Sequence, residues 1–259
     1  MMLGVDGRRE DFHALHEAGY FLLPTAWDIG TARRLETMGF AGLASSNVSL
    51  AWALGREDGQ ATRDEVLAHL RQLVAATELP VNGDFGSGFA ANTKELMENV
   101  RLAIDTGVAA LSINDAVGTE LYDLQEAAAH VQASREAMGG SGADVLLVGR
   151  CEGLVLGHTS VDDAIERLVA YSKAGADVLC APGLSDLAAI AATVEAVAPK
   201  AFDVQRTKPG IRAAVLGELG VRRISVGDCF AAAYWSGFER VAQRFIDYGD
   251  LLPESLSAV

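Results

Sequence analysis

Polar residues suited to binding a small acid recur directly after short apolar runs. Asp84 ends the run PVNGD, Arg150 ends VLLVGR, and the polar triplet Ser45, Ser46 and Asn47 begins at the end of FAGLAS. Carboxylates are typical ligands of Mg²⁺ or Mn²⁺, and an arginine binds a carboxylate through two parallel hydrogen bonds. Serine hydroxyls and backbone N–H groups bind the remaining oxygens. This combination favours an oxyacid held on a divalent cation that stabilises an enolate-like oxyanion.

Other apolar runs end in polar residues with more than one interpretation. Trp27 and Asp28 follow the first run, and Asp28 begins the helical pattern DIGTARRL, which is the position of an N-cap. Asp203 and Asp228 are compatible with a turn or a cap as well as with a site. Arg150 is harder to explain structurally, because an unpaired buried cation is very costly.

These polar residues belong to a regular alternation of strands and helices. Apolar runs predict strands at 20–24, 40–45, 80–84, 109–114, 145–150, 177–181, 201–204 and 223–227. Between them lie amphipathic patterns that begin with capping sequences at Thr62, Asn92 and Ser160. Glycine recurs at the helix ends, in EAGY, TMGF, DTGVA, KAGADV and ELGVRR, where a left-handed residue is favoured.

The repeated strand–helix unit predicts an α/β fold, a closed (β/α)8 TIM-type barrel. Eight such units in about 250 residues are typical of that fold. The competing doubly wound sheet lacks its G-x-G-x-x-G turn after the first strand. In a barrel the carboxyl ends of the strands form one rim, so the polar residues above are expected to meet there. No linker divides the chain, and 1–259 is predicted to be one domain.

Composition and charge limit the kinds of molecule that the protein is expected to bind. A formal net charge of −14 argues against binding nucleic acid or an anionic membrane. The sequence has neither an apolar stretch long enough for a membrane span nor an apolar signal core, so we expect the cytoplasm. Three widely spaced cysteines predict no disulfide framework. The histidines on predicted helices are expected at the surface: His13, His16, His69 and His130.

The last predicted helix, 228–247, is rich in aromatic residues. Phe230, Tyr234, Trp235, Phe238 and Phe245 give it more aromatic surface than one side of a barrel needs. The pattern indicates a subunit interface, with a buried terminal helix as the alternative.

Several stretches in a fixed order make the chain resemble the isocitrate lyase/phosphoenolpyruvate mutase superfamily. They are the segment PTAWDIGTARRLETMGFAGLASSNVSLAWALGREDG, followed by TRDEVLAHL, VNGDFGSGFA, LSINDAVG, VGRCEG and LGELGVRRISVG. The resemblance covers roughly residues 10–240 and is to the short members, of 2-methylisocitrate lyase or phosphonomutase type.

The resemblance implies a barrel whose C-terminal helix, here within 228–259, is exchanged between subunits of a homodimer or homotetramer. It also implies Mg²⁺-dependent chemistry on a small α-keto or α-hydroxy carboxylic acid, at a C–C or P–C bond. The residues expected to act are Asp58 and Arg150 in catalysis, Trp27, Ser45, Ser46, Asn47 and Arg150 in substrate binding, and Asp84, Asn114 and Asp115 at the metal.

Departures from the family pattern leave a second reading open. Gly86 stands where a second carboxylate is usual, and Asn114 stands where a glutamate is usual. The cysteine loop of the lyases has no counterpart near GTELYD, and the family's strand 7 asparagine is Asp203. Cleavage of 2-methylisocitrate is therefore not expected. The alternative is a family member that binds a keto acid without the usual lyase chemistry.

Overall fold

The computed structural model describes residues 4–251. Within that range, eight parallel strands form one sheet, and all eight predicted strands are confirmed. Their bounds are β1 Phe21–Leu23, β2 Leu43–Ala44, β3 Val81–Asp84, β4 Ala110–Asn114, β7 Leu146–Arg150, β8 Val178–Cys180, β9 Ala201–Gln205 and β10 Arg223–Ser225. A short antiparallel hairpin, β5 Ala116–Val117 and β6 Glu120–Leu121, follows β4.

Helices separate the strands of the sheet. They are α1 Val5–Glu17, α2 Ile29–Thr37, α3 Asn47–Ala53, α4 Arg63–Ala76, α5 Thr93–Ile104, α6 Leu124–Gly139, α7 Gly153–Leu156, α8 Val161–Lys173, α9 Leu187–Val197, α10 Ala213–Glu218 and α11 Cys229–Tyr248. The predicted domain, 1–259, and the predicted extension, 228–259, include residues outside the described range.

The sheet closes on itself. Its strand order is β1-β10-β9-β8-β7-β4-β3-β2, with every neighbouring pair parallel. A parallel bridge between Thr25 and Ala44 joins the two ends of that order, supported by the bond from the Ala26 N–H to the Ala44 carbonyl at 2.8 Å. The TIM-type barrel is therefore confirmed.

The local signals explain the helix boundaries. Thr62 and Ser160 begin α4 and α8 with reciprocal capping boxes, and Asn92 caps α5. Asp28 is the N-cap of α2, as the structural reading of that residue predicts. The five glycines predicted to end helices all have a positive φ: Gly19, Gly39, Gly107, Gly175 and Gly220.

The core has two parts. The larger part fills the space between the strands and the surrounding helices. The smaller part lies inside the barrel, where Phe12 of α1 packs with first residues of strands, such as Phe21, Leu146 and Ala201. Helix α1 therefore closes the amino-terminal end of the barrel, which leaves the other end available for a site.

The exposure of two features, helix α11 and His69, is unusual or differs from the prediction. Helix α11 has Ala231 as its one buried residue among those described, and large apolar side chains along it are exposed, such as Phe238 at 58% and Ile246 at 75%. His69 is 5% exposed rather than at the surface, because it faces the core side of α4. Among the described helices, none has the length and apolar character needed to cross a bilayer.

Candidate active site

A cavity opens inside the barrel at the carboxyl ends of the strands. Three of the predicted site residues line it: Ser45, Asp84 and Arg150. Thr25, Cys180, Asp203, Gln205 and Ser225 line it from other strands. The expectation that polar residues from separate strands meet at one rim is therefore confirmed for these positions.

Asp84 is fixed by the backbone of neighbouring segments. Its Oδ2 accepts a hydrogen bond from the Asn47 N–H at 3.0 Å, and its Oδ1 accepts one from the Gly86 N–H at 3.3 Å. The Asp84 N–H in turn donates to the Ser45 Oγ at 2.8 Å. A carboxylate oxygen can accept more than one hydrogen bond or ligand, so Asp84 keeps free lone pairs.

Asn114, the second predicted metal ligand, is not among the residues that line the cavity, although the register of the sheet sets it on the same face as Asp84. It lies two residues beyond Ser112, which is the register partner of Asp84 across β3 and β4. The Asn114 N–H donates to the Gly86 carbonyl at 2.9 Å, while its side-chain Oδ1 is buried without a donor from any described residue. An unpaired buried oxygen is costly, and a ligand or cation would remove that cost.

Asp84 and Asn114 fit a divalent cation only in part. Hard oxygen donors suit Mg²⁺, which usually keeps several waters and takes few protein ligands. Across residues 4–251, no three or more His, Cys, Asp or Glu side chains are grouped closely enough to hold a metal ion. The fit is therefore to a cation with one protein carboxylate, whose remaining ligands come from water and substrate.

Arg150 is held by a neighbour that the sequence reasoning did not select. The Nε and Nη2 of Arg150 donate to the Glu152 Oε1 at 2.9 and 2.7 Å. Burial acts to lower the pKa of Arg150, but the charges of Glu152 and Asp84 outweigh it and raise that pKa. Burial raises the pKa of Glu152, while Arg150 acts in the opposite direction. Among residues 4–251, none accepts a hydrogen bond from the Nη1 of Arg150.

Asp115 points away from the cavity and into a buried network. Its Oδ2 accepts hydrogen bonds from the Tyr171 hydroxyl at 2.6 Å and from Arg167 at 3.2 Å. Its Oδ1 accepts one from the Glu152 N–H at 2.8 Å. Asp115 therefore positions Glu152, and through it Arg150. These contacts do not support the predicted metal role of Asp115.

Four other predicted residues are not brought into the cavity by their side chains. Ser46 caps α3 by accepting a bond from the Ser49 N–H at 3.1 Å, and Asn47 contributes its backbone N–H to Asp84. Trp27 packs against Tyr234 of α11, with ring centroids 5.6 Å apart. Asp58 is exposed in the loop after α3 and bonds to the Gly59 N–H. Their proposed roles remain predictions.

The floor of the cavity is a buried polar network that contains Asp203, which the sequence analysis named, and three residues that it missed, Asn82, Ser112 and Arg223. Arg223 donates to the Asn82 Oδ1 at 3.1 Å and to the Asp203 Oδ2 at 2.9 Å. Asn82 also bonds to Ser112 at 3.0 Å, and Ser225 donates to the Asp203 Oδ2 at 3.0 Å. The available signal was alternation, since every second residue of a barrel strand faces inward and Asn82, Ser112 and Arg223 each lie two residues before a rim residue.

Comparison with known proteins assigns the chain to a family. The family model described as phosphoenolpyruvate phosphomutase matches residues 12–246. A crystal structure of a candidate lyase/mutase from Burkholderia cenocepacia J2315 is 37% identical, covers 98% of this chain and 94% of its own, and superposes with a TM-score of 0.93.

Two sequence relatives differ in how much they cover. An uncharacterized protein of Mycobacterium tuberculosis strain H37Rv is 28% identical over 250 residues, which are 95% of this chain and 92% of that protein. Oxaloacetate decarboxylase 2 of Pseudomonas fluorescens strain Pf0-1 is 31% identical over 172 residues, but these are 62% of this chain and 57% of the enzyme.

Proposed function

The chain belongs to the phosphoenolpyruvate phosphomutase family, and from that premise we propose that it is a lyase or mutase acting on a small α-keto or α-hydroxy carboxylic acid. The observation that carries the proposal is that Asp84, Arg150 and Ser45 line one cavity at the rim of the barrel. The reaction would break or form a C–C or P–C bond next to the carbonyl carbon.

The protein's own residues bind and orient the acid. Arg150 meets the substrate carboxylate with its Nη1 side, because Glu152 occupies Nε and Nη2. The hydroxyl of Ser45 accepts from the Asp84 N–H, so its own hydrogen is available to donate to a substrate oxygen. The network of Asp115, Tyr171 and Arg167 keeps Glu152 and Arg150 in place.

Mg²⁺ is the proposed cofactor, with Mn²⁺ as a substitute. Asp84 would hold it directly, and the unpaired oxygen of Asn114 would bind either the metal or one of its waters. When bound, the metal supplies stabilisation of negative charge on a substrate oxygen.

A second candidate is a family member that binds a keto acid without turning it over. Gly86 removes one carboxylate from this rim, and residues 4–251 contain no larger group of metal-binding side chains. Loss of groups that orient metal-bound waters commonly weakens metal binding about 10–100-fold. This candidate therefore predicts acid binding that depends little on Mg²⁺.

Turnover of a panel of C3–C6 keto and hydroxy acids with Mg²⁺ separates the two. We expect at least one acid to be consumed, and Asp84→Ala to remove that activity. Asp11→Ala is the matched control, since Asp11 is exposed on α1 at the closed end of the barrel. If no acid is consumed, or if Asp84→Ala retains full activity, the proposed enzyme or its metal site is wrong.

We also propose a homodimer or homotetramer in which α11 packs on another subunit. An apolar groove lined by Leu22, Phe40, Leu216, Ile224 and Phe230 lies on the outside of the barrel beside β1 and β10. Leu22 is 45% exposed there. The exposed apolar stripe of α11 and this groove are complementary in character, which supports exchange of the helix between subunits.

A further inference from the structure

At the floor of the cavity, only one oxygen of the Asp203 carboxylate accepts hydrogen bonds from the described residues. Asp203 is 2% exposed, and its Oδ2 accepts from both Arg223 and Ser225. Its Oδ1 is buried and accepts no hydrogen bond from the described residues. The Nε of Arg223 is likewise buried without an acceptor in that part of the chain. Both residues line the cavity.

The register of the sheet sets Asp203 opposite the proposed carboxylate-binding residue. Arg150 pairs with Cys180 across β7 and β8, and Cys180 pairs with Asp203 across β8 and β9. Neighbouring strands are about 4.8 Å apart, so two strand spacings separate the backbones of Arg150 and Asp203 by about 10 Å. Both side chains line the same cavity, so an acid bound by Arg150 would lie near Asp203.

Cys180 lies between these two residues on β8. Its side chain is small, and it lines the same cavity. Burial raises the pKa of the Cys180 thiol well above its usual value, with the charge of Asp203 adding to the effect. The thiol is therefore neutral, and the part of the cavity between Arg150 and Asp203 is weakly polar.

The two unpaired atoms define which substituent the floor can accept. The Asp203 Oδ1 needs a donor and the Arg223 Nε needs an acceptor. A hydroxyl group is both, whereas a methyl group satisfies neither, and a second carboxylate or a phosphonate would face the charge of Asp203. Leaving buried polar atoms unpaired is unfavourable. An acid with a hydroxyl group at this position should therefore bind more tightly than one with a methyl group.

We propose that the pair Asp203 and Arg223 forms a hydroxyl-binding subsite that selects a keto acid bearing a hydroxyl group over one bearing a methyl or a second acid group. The inference rests on the proposed function, because Arg150 must hold the carboxylate at the other end. It makes Asp203 a specificity-determining residue rather than a turn or cap residue.

Calorimetric titrations of the wild-type protein in excess Mg²⁺ with 3-hydroxypyruvate, pyruvate and oxaloacetate test the subsite directly. We expect 3-hydroxypyruvate to bind about tenfold or more tightly than either of the others, as expected for a hydrogen bond to a charged group. If pyruvate or oxaloacetate binds equally well, a water molecule satisfies Asp203 and this inference is overturned while the proposed function stands. If none of the three binds, both fail.

Asp203→Asn gives the second arm of the test. The amide has the same shape but places a donor or a neutral acceptor where Oδ1 is, so we expect the preference for 3-hydroxypyruvate over oxaloacetate to fall at least about tenfold. An unchanged preference in a folded variant overturns the inference. If the variant does not fold, the comparison of ligands on the wild-type protein decides alone.

Discussion

At the scale of single residues, Gly86 is the position where a second carboxylate would strengthen the proposed metal site. Its φ of +55 lies in the left-handed region, where glycine is unstrained and aspartate or asparagine is tolerated at a cost of about 1–2 kcal/mol. A Cβ at Gly86 would lie 3.6 Å from the Asn47 Nδ2, which is an ordinary contact. The position therefore accepts a Cβ without a clash.

We predict that Gly86→Asp binds Mg²⁺ about tenfold or more tightly than the wild type, because it adds a carboxylate two residues after Asp84. Gly86→Asn is the matched control, with the same backbone strain and no added charge. Calorimetric titration with Mg²⁺ measures both variants. Equal affinities for the two variants would mean that a carboxylate at position 86 does not act on the metal.

Asp115 provides the second residue-scale prediction. Asp115→Asn should destabilise the fold by about 3–5 kcal/mol, because it removes the buried partner of Arg167, whose side chain is 13% exposed. Its Mg²⁺ affinity should be unchanged. Urea unfolding and calorimetry report the two effects, and Asp84→Asn should show the reverse pattern. A loss of Mg²⁺ affinity without a loss of stability would restore Asp115 as a metal ligand.

The residues at the rim show what sequence can and cannot predict about a site. Asp84 and Arg150 were predictable because each ends an apolar run, and strand ends meet in a barrel. Asp115 also follows a strand, but it comes one residue after Asn114, so the alternation of side chains along the strand directs it outward, toward α8. The prediction placed it at the rim because it did not apply that alternation. Asn82 and Arg223 were missed because polar residues inside a strand carry no local mark of a site.

At the scale of elements, periodicity predicted more than composition did. Each of the eight strands was predictable, since short apolar runs alternate with amphipathic helical patterns along the chain, and five of the runs follow a glycine that ends a helix. The burial of His69 was not, because α4 is buried on a broad face that includes Leu70 and Leu73. From the sequence alone, a histidine at the edge of the apolar face of a helix is predicted to be exposed.

His69 should make the stability of the protein depend on pH. Burial lowers its pKa to about 4, with the charge of Asp28 opposing the effect. Because the folded value lies below the unfolded value of 6.5, the stabilisation is present above pH 6.5 and is lost as the pH falls towards 4. Between pH 7 and pH 5 we expect His69 to account for a loss of about 2 kcal/mol in the free energy of unfolding.

Urea unfolding of His69→Gln at pH 7 and pH 5 measures that contribution. The variant should lose about 2 kcal/mol less than the wild type over this interval. His158→Gln is the control, because His158 is exposed in the loop after α7. If the pH dependence of His69→Gln equals that of the wild type, the imidazole is not buried in its neutral form.

At the scale of the whole molecule, α11 carries most of the exposed aromatic side chains of the described residues. Phe238 is 58% exposed and Phe245 is 59% exposed on a helix whose aromatic residues repeat at helical spacing. We predict that Phe238→Glu lowers the oligomeric state, because a charge in an apolar interface is costly.

Sedimentation velocity at fixed protein concentration measures the change. Met38→Glu is the control, since Met38 is an exposed apolar residue, at 70%, that lies outside α11. The control should keep the oligomeric state of the wild type. A wild-type monomer, or a Phe238→Glu variant that stays assembled, would contradict the proposed interface.

We propose above that one rim of the barrel holds a divalent cation and a small acid together. Calorimetric titration with oxalate, a planar analogue of a keto-acid enolate, tests it with and without Mg²⁺. We predict that oxalate binding requires Mg²⁺ and weakens about tenfold or more in Asp84→Asn, because the metal and its carboxylate ligand bind as one unit with the acid. Oxalate binding that is equally tight without Mg²⁺, or unchanged in Asp84→Asn, would contradict the claim.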